Sequence, residues 1–151
     1  MTSSPQGSFQ ARVLIVDDNR FGLSARKSLL KELGHDVLTS RSPNEALELC
    51  ERNAFDVIVI DYRMPDMNGV EFIASLRKRG KLVPVILISG FTDTLGLNEE
   101  NTGADVVIQK SANEVNHLIR AINRLLKKQT AKKPPGSQRG TRLSPKKTET
   151  S

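Results

Sequence analysis

The chain has 151 residues, 37% of them hydrophobic, which suits one α/β domain with a buried core plus tails. A single cysteine, Cys50, excludes an internal disulfide, and with only His35 and His117 beside it there is no zinc-ligand cluster. The net charge of +6 is local: Lys127 to Ser151 carry a balance of +7 and the remaining residues −1, so basicity as a whole-protein property is excluded.

The N-terminal MTSSPQGSFQA has neither a basic start nor an apolar run, so residues 1–10 read as a flexible segment rather than a secretory signal. No apolar stretch approaches bilayer-spanning length, so no membrane insertion and a cytoplasmic location are expected. The domain proper is expected over residues 11–128.

Val13 to Val16 forms the first apolar run fit for a buried parallel strand, and it ends in Asp17-Asp18. A helical pattern follows from Phe21 to Leu33, closed by Gly34-His35, and then a weaker strand from Asp36 to Thr39. Ser42 as N-cap and Pro43 in the first turn open a helix to Arg52, inside which Cys50 reads as an ordinary semi-buried thiol. Next come VIVI, Val57 to Ile60, ending in Asp61, a Met-Pro-Asp turn, and a helix from Val70 to Arg79 on which Phe72 reads as core. VILI, Val85 to Ile88, ends in Ser89-Gly90. The segment FTDTLGLNEENTG has too few apolar residues for a strong helical face, so a short or irregular element is expected there. A fifth strand, Asp105 to Ile108, leads to Lys110, and a helix runs from Asn113 to Lys128.

Alternating strands and helices predict a doubly wound α/β fold, a five-stranded parallel sheet covered on both faces. Ligands bind such sheets outside the carboxyl ends of the strands. There the chain places Asp17, Asp18, Asp61, Ser89 and Lys110. Each alone has an ordinary explanation in helix capping or a solvated lysine, but all of them meeting at one rim does not. Three neighbouring carboxylates repel unless a cation offsets them, and an oxygen-only donor set that leaves room for water and phosphate oxygens favours Mg²⁺. An aspartate beside such an ion can attack phosphorus, with Lys110 and Ser89 positioning and neutralising the phosphoryl group.

From about Arg12 to Lys128, through VDDN, DYRMPDMNG, ISG and the strand-terminal lysine, the chain resembles a receiver domain of two-component response regulators. The resemblance implies the flavodoxin-like strand order 2-1-3-4-5. Position by position, Asp61 corresponds to the phosphoacceptor and Asp18 to the direct Mg²⁺ ligand. Asp17 corresponds to the residue that orients metal-bound water, and the backbone carbonyl of Arg63 to a further metal ligand. Ser89 corresponds to the hydroxyl that follows the phosphoryl group and Lys110 to the ammonium that pairs with it. It also implies a sensor histidine kinase or phosphotransfer protein as donor, and a downstream protein target. The chain would then be a phosphoacceptor with at most self-catalysed transfer and dephosphorylation, and not an enzyme.

Two departures stand out. Ser111 follows Lys110 where the family usually has proline, often after a cis peptide, and Val107 replaces the aromatic three residues before the lysine. They motivate the alternative of a pseudo-receiver, an interaction module with little phosphorylation-dependent switching. A haloacid-dehalogenase-type phosphatase ranks last, because Arg63 stands where its second acid would be. Residues 129–151, rich in Lys, Pro, Ser and Thr, are expected to be a disordered basic tail whose charge would attract nucleic acid weakly and without aromatic stacking.

Overall fold

A computed structural model of the chain describes residues 10–90 and 95–132, with side chains to Gln129. Residues 1–9 of the predicted N-terminal segment and 133–151 of the predicted tail lie outside the described residues. The elements run β1 (Arg12–Val16), α1 (Arg20–Glu32), β2 (Asp36–Ser40), α2 (Pro43–Arg52) and β3 (Val57–Asp61). Then come α3 (Gly69–Lys78), β4 (Val85–Ser89), a short α4 (Glu99–Thr102), β5 (Val106–Gln109) and α5 (Glu114–Lys132). The strands form one parallel sheet in the order β2-β1-β3-β4-β5, as expected.

Strands β3 and β4 are buried along their whole length, because both faces of the sheet are covered. Alternate residues go to two separate cores. Val13, Ile15, Val57, Val59, Ile86 and Ile88 pack against α1 and α5, through Leu30, Leu118 and Ile122 among others. Leu14, Val16, Ile58, Ile60, Val85 and Leu87 pack against α2 and α3, where Phe72 is fully buried as core. His35 closes the first core at one edge, its Nδ1 accepting the Ala11 N–H at 3.0 Å.

The caps follow the sequence. Ser42 accepts from the Glu45 N–H with Pro43 in the first turn, and Asn68 with Glu71 forms a reciprocal capping box at the start of α3. Gly34, at φ 97°, turns the chain out of α1. The weak segment after β4 yields, in its described part, the four-residue α4 capped by Asn98; residues 91–94 lie outside the described residues. The last helix continues beyond the predicted end at Lys128 to Lys132, and Gln129 Nε2 donates to the Asp56 carbonyl at 3.3 Å, so the first residue assigned to the tail serves the fold.

At the amino ends of two strands the same arrangement occurs twice. Asp56 donates its N–H to the Arg12 carbonyl and accepts the Arg12 N–H on Oδ2, at 2.8 Å each. Asp105 does the same to Val85, at 2.9 and 2.8 Å. No helix is long and apolar enough to cross a membrane among the described residues.

Candidate phosphoryl and metal site

All the singled-out rim residues come together. Asp17, Asp18, Asp61, Arg63, Ser89 and Lys110, joined by Asn19 and Gly90, line one cleft of about 280 Å³ at the carboxyl ends of the strands. The sheet register sets this: Val16 pairs with Ile60, Asp61 with Ile88 and Ser89 with Gln109, so consecutive strands stop at nearly one level.

Asp61 is 4% exposed. Burial pushes its carboxyl above the ordinary range, Lys110 pulls it down, and the nearby Asp17 pushes it up again; the net direction is up. Lys110 Nζ stands 2.6 Å from Asp61 Oδ1, an ion pair in which the ammonium also donates to the carboxylate. A buried carboxylate with one ammonium partner keeps acceptor capacity that a cation, or a bond to phosphorus, would use. One oxygen each from Asp17, Asp18 and Asp61 lie within 4.8 Å of one another, close enough to surround one ion, and the donors are all hard oxygens, so the residues fit Mg²⁺.

The turn after Asp61 is built to hold that residue still. Gly69 donates its N–H to the Tyr62 carbonyl at 2.8 Å, and Met67 to the Pro65 carbonyl at 2.7 Å. Asp66 occupies the left-handed region at φ 72°, which aspartate tolerates better than most residues. A Cβ on Gly69 would lie 2.5 Å from Leu87 Cδ1 and 3.0 Å from the Asp61 carbonyl oxygen, so only glycine lets the turn close this tightly. Met64 is buried beneath it, Tyr62 is half-buried, and Arg63 is exposed at the cleft mouth.

Ser89 is buried at the end of β4, and its carbonyl accepts the Lys110 N–H at 2.9 Å, which ties the lysine's backbone to the serine strand. The described peptide bonds are all trans, Lys110–Ser111 included, so the lysine reaches Asp61 without the family's usual proline. Val107 is half-buried against the second core, where an aliphatic side chain lacks the reach of an aromatic.

Sequence reasoning missed two members of the neighbourhood. Arg26 Nη1 donates to Asp17 Oδ2 at 2.7 Å, while its Nε and Nη2 both donate to Glu114 Oε2, at 2.9 and 2.7 Å. Burial lowers the guanidinium's affinity for its proton, but Glu114 and then Asp17 more than offset this, leaving its pKa above the ordinary value. A signal was present: Leu23, Arg26 and Leu30 share the buried stripe of α1, so the arginine stands at a core position and requires partners.

The profile of the Response regulator receiver domain family matches residues 13–123. Among curated proteins, the alkaline phosphatase synthesis transcriptional regulatory protein PhoP of Bacillus subtilis is 32% identical over 75% of this chain and 48% of its own length. The hydrogenase transcriptional regulatory protein HoxA of Cupriavidus necator is 42% identical over 60% of this chain and 19% of its own. The chain thus spans half or less of these relatives. Among solved structures, a Francisella response regulator receiver domain superposes with TM-score 0.71 at 32% identity, covering 79% of this chain and 98% of that one. A response regulator of Thermotoga maritima, solved in complex with Mg²⁺ and BeF, superposes with TM-score 0.64 at 26% identity, covering 74% and 97%. The haloacid-dehalogenase reading gives way to these matches. A five-stranded sheet in the order 2-1-3-4-5, an acidic cluster at its carboxyl rim and a profile match over most of the sequence together place the chain in the response regulator receiver domain family of two-component signalling.

Proposed function

We propose that the chain accepts a phosphoryl group on Asp61 from a phosphohistidine of a sensor kinase or phosphotransfer protein, and signals by altering a surface read by a downstream protein. The observation that carries this reading is the placing of Asp61: buried, clustered with Asp17 and Asp18, and with the Lys110 ammonium 2.6 Å from its Oδ1. In the transfer, a bond forms between a carboxylate oxygen of Asp61 and phosphorus while the bond from phosphorus to the donor's imidazole nitrogen breaks. Asp17, Asp18, Asp61 and the Arg63 carbonyl would hold Mg²⁺, which when bound neutralises charge on the phosphoryl oxygens. Lys110 compensates the charge that accumulates on the phosphoryl group from the other side, and Ser89 offers its hydroxyl to one of those oxygens. On this reading the chain acts as a phosphoacceptor rather than as an enzyme. The cytoplasm, where such donors work, is the proposed location.

The pseudo-receiver is the second reading, favoured by Val107 and Ser111. One experiment separates them. Incubation with a small phosphodonor such as acetyl phosphate should label the wild type in the presence of Mg²⁺, lose the label with chelator, and lose it entirely in Asp61→Asn. Absence of metal-dependent labelling at Asp61 would reject acceptance and leave the pseudo-receiver.

A further inference from the structure

We propose that Arg26 is an internal counter-ion that shares Asp17 with the divalent cation, so that Arg26 and Glu114 together set the cation affinity of the rim site. The inference rests on the reading that this rim binds Mg²⁺. Both Asp17 oxygens already have partners: Oδ1 accepts the Asn19 N–H at 2.9 Å and Oδ2 accepts Arg26 at 2.7 Å. Asp17 is 2% exposed and Arg26 10%, so the attraction between them is little screened. A cation arriving at the cluster therefore meets a carboxylate whose charge is already largely compensated, with a fixed positive group beside it.

The arrangement is built rather than incidental. Arg26 takes a core position on α1 beside Leu23 and Leu30, where an aliphatic residue would pack without any electrostatic requirement. Gly22, one turn earlier, leaves the room: a Cβ there would lie 3.0 Å from Asp17 Oδ2 and 3.6 Å from Arg26 Nη1. Glu114 fixes the other edge of the guanidinium through two hydrogen bonds, so Arg26 is tied both to the acidic rim and to the first turn of α5. Glu114 also offsets part of the arginine's charge. The two side chains should consequently act on the cation with opposite signs: Arg26 repels it, and Glu114 moderates that repulsion.

Calorimetric titration of the full chain with MgCl₂ tests this, using Arg26→Met, Arg26→Lys and Glu114→Gln beside the wild type. One uncompensated unit charge at short, partly screened range is expected to tighten Mg²⁺ binding in Arg26→Met by roughly tenfold, and its loss at Glu114 to weaken binding by roughly threefold. Arg26→Lys keeps the charge next to Asp17 and should stay within about twofold of the wild type. A merely structural role would lower the melting temperature of the variants and leave all dissociation constants within twofold, which would overturn the proposal, as would weaker binding in Arg26→Met. If Arg26→Met does not fold, Glu114→Gln decides alone, weaker binding supporting the proposal and unchanged binding overturning it. A wild type that binds no Mg²⁺ overturns this proposal and the metal-assisted acceptor reading together; a wild type that binds Mg²⁺ and is labelled at Asp61, with unaltered variants, overturns only the role of Arg26.

Discussion

Replacing Gly69 by alanine should destabilise the protein, although the usual expectation has the opposite sign. Gly69 is the first residue of α3, and a glycine-to-alanine change at a compatible helical position ordinarily stabilises by about 0.4–1 kcal/mol. Here the new methyl would meet Leu87 Cδ1 at 2.5 Å, the Asp61 carbonyl oxygen at 3.0 Å and Tyr62 Cα at 3.2 Å. Leu87 is fully buried and the other two atoms are backbone, so relief requires repacking the core around Leu87 or moving the turn after Asp61. Overpacking of this kind costs about 1–3 kcal/mol, and with two backbone contacts involved the upper half of that range is expected. Urea unfolding followed by circular dichroism measures the loss, a constant m-value showing that stability alone has changed. Leu87→Val removes the worst contact, so the double variant should be less destabilised than the sum of the singles by roughly 1 kcal/mol. Gly69→Ala at or above wild-type stability, or strict additivity with Leu87→Val, would refute the packing argument. The same variant should take up phosphoryl groups more slowly, because the crowded atoms include the Asp61 carbonyl oxygen.

Asp61→Asn, besides abolishing labelling, should stabilise the metal-free protein at neutral pH by about 1 kcal/mol, as expected where a functional group is held at the expense of stability. The folded-state pKa of Asp61 is raised, so the native state binds the extra proton and wild-type stability falls as pH rises from the unfolded carboxyl value through the folded one. Urea unfolding in chelator at several pH values should find that component missing in Asp61→Asn; an equal slope in both proteins would contradict it. His35 acts in the other direction: burial lowers its pKa below 6.5, so its contribution is complete above that value and is lost as pH falls toward the folded-state pKa. Protonation there would set an N–H of Nδ1 against the Ala11 N–H. His35→Asn, which retains an acceptor near that place, should flatten stability between about pH 7 and 5, and a slope unchanged from the wild type would exclude His35 as its source.

The sheet and the rim were legible because their signals are short and strong. Four-residue aliphatic runs that end on Asp61 and Ser89 fit a strand buried on both faces, and the strand ends of a parallel sheet converge at one edge. The capping chemistry of Ser42 was equally direct. Arg26 and Glu114 were not read, since a charged residue on a helix is solvated by default and their 88-residue separation leaves no local trace of the contact. The far end of α5 was placed too early because the lysines at 127 and 128 look like the start of the basic tail, although basic residues also suit the last turns of a helix. The segment after β4 has so little apolar character that only a four-residue helix follows in its described part.

Asp56 and Asp105 give the sheet a property that its core cannot provide. Both faces of β3 are lined by nearly interchangeable Val and Ile, so sliding that strand by one residue would bury much the same surface, and hydrophobic patterning by itself penalises the error weakly. Each aspartate grips its neighbour's backbone through its own amide and its carboxylate at once, a grip available in only one alignment. Because a five-residue strand is roughly 17 Å of stiff ruler, indexing the strands at this end fixes where Asp61 and Lys110 stop at the other. Accuracy at Asp61 is thereby inherited from two carboxylates at the opposite strand ends, and a variant that lost both could remain folded while presenting its rim out of step.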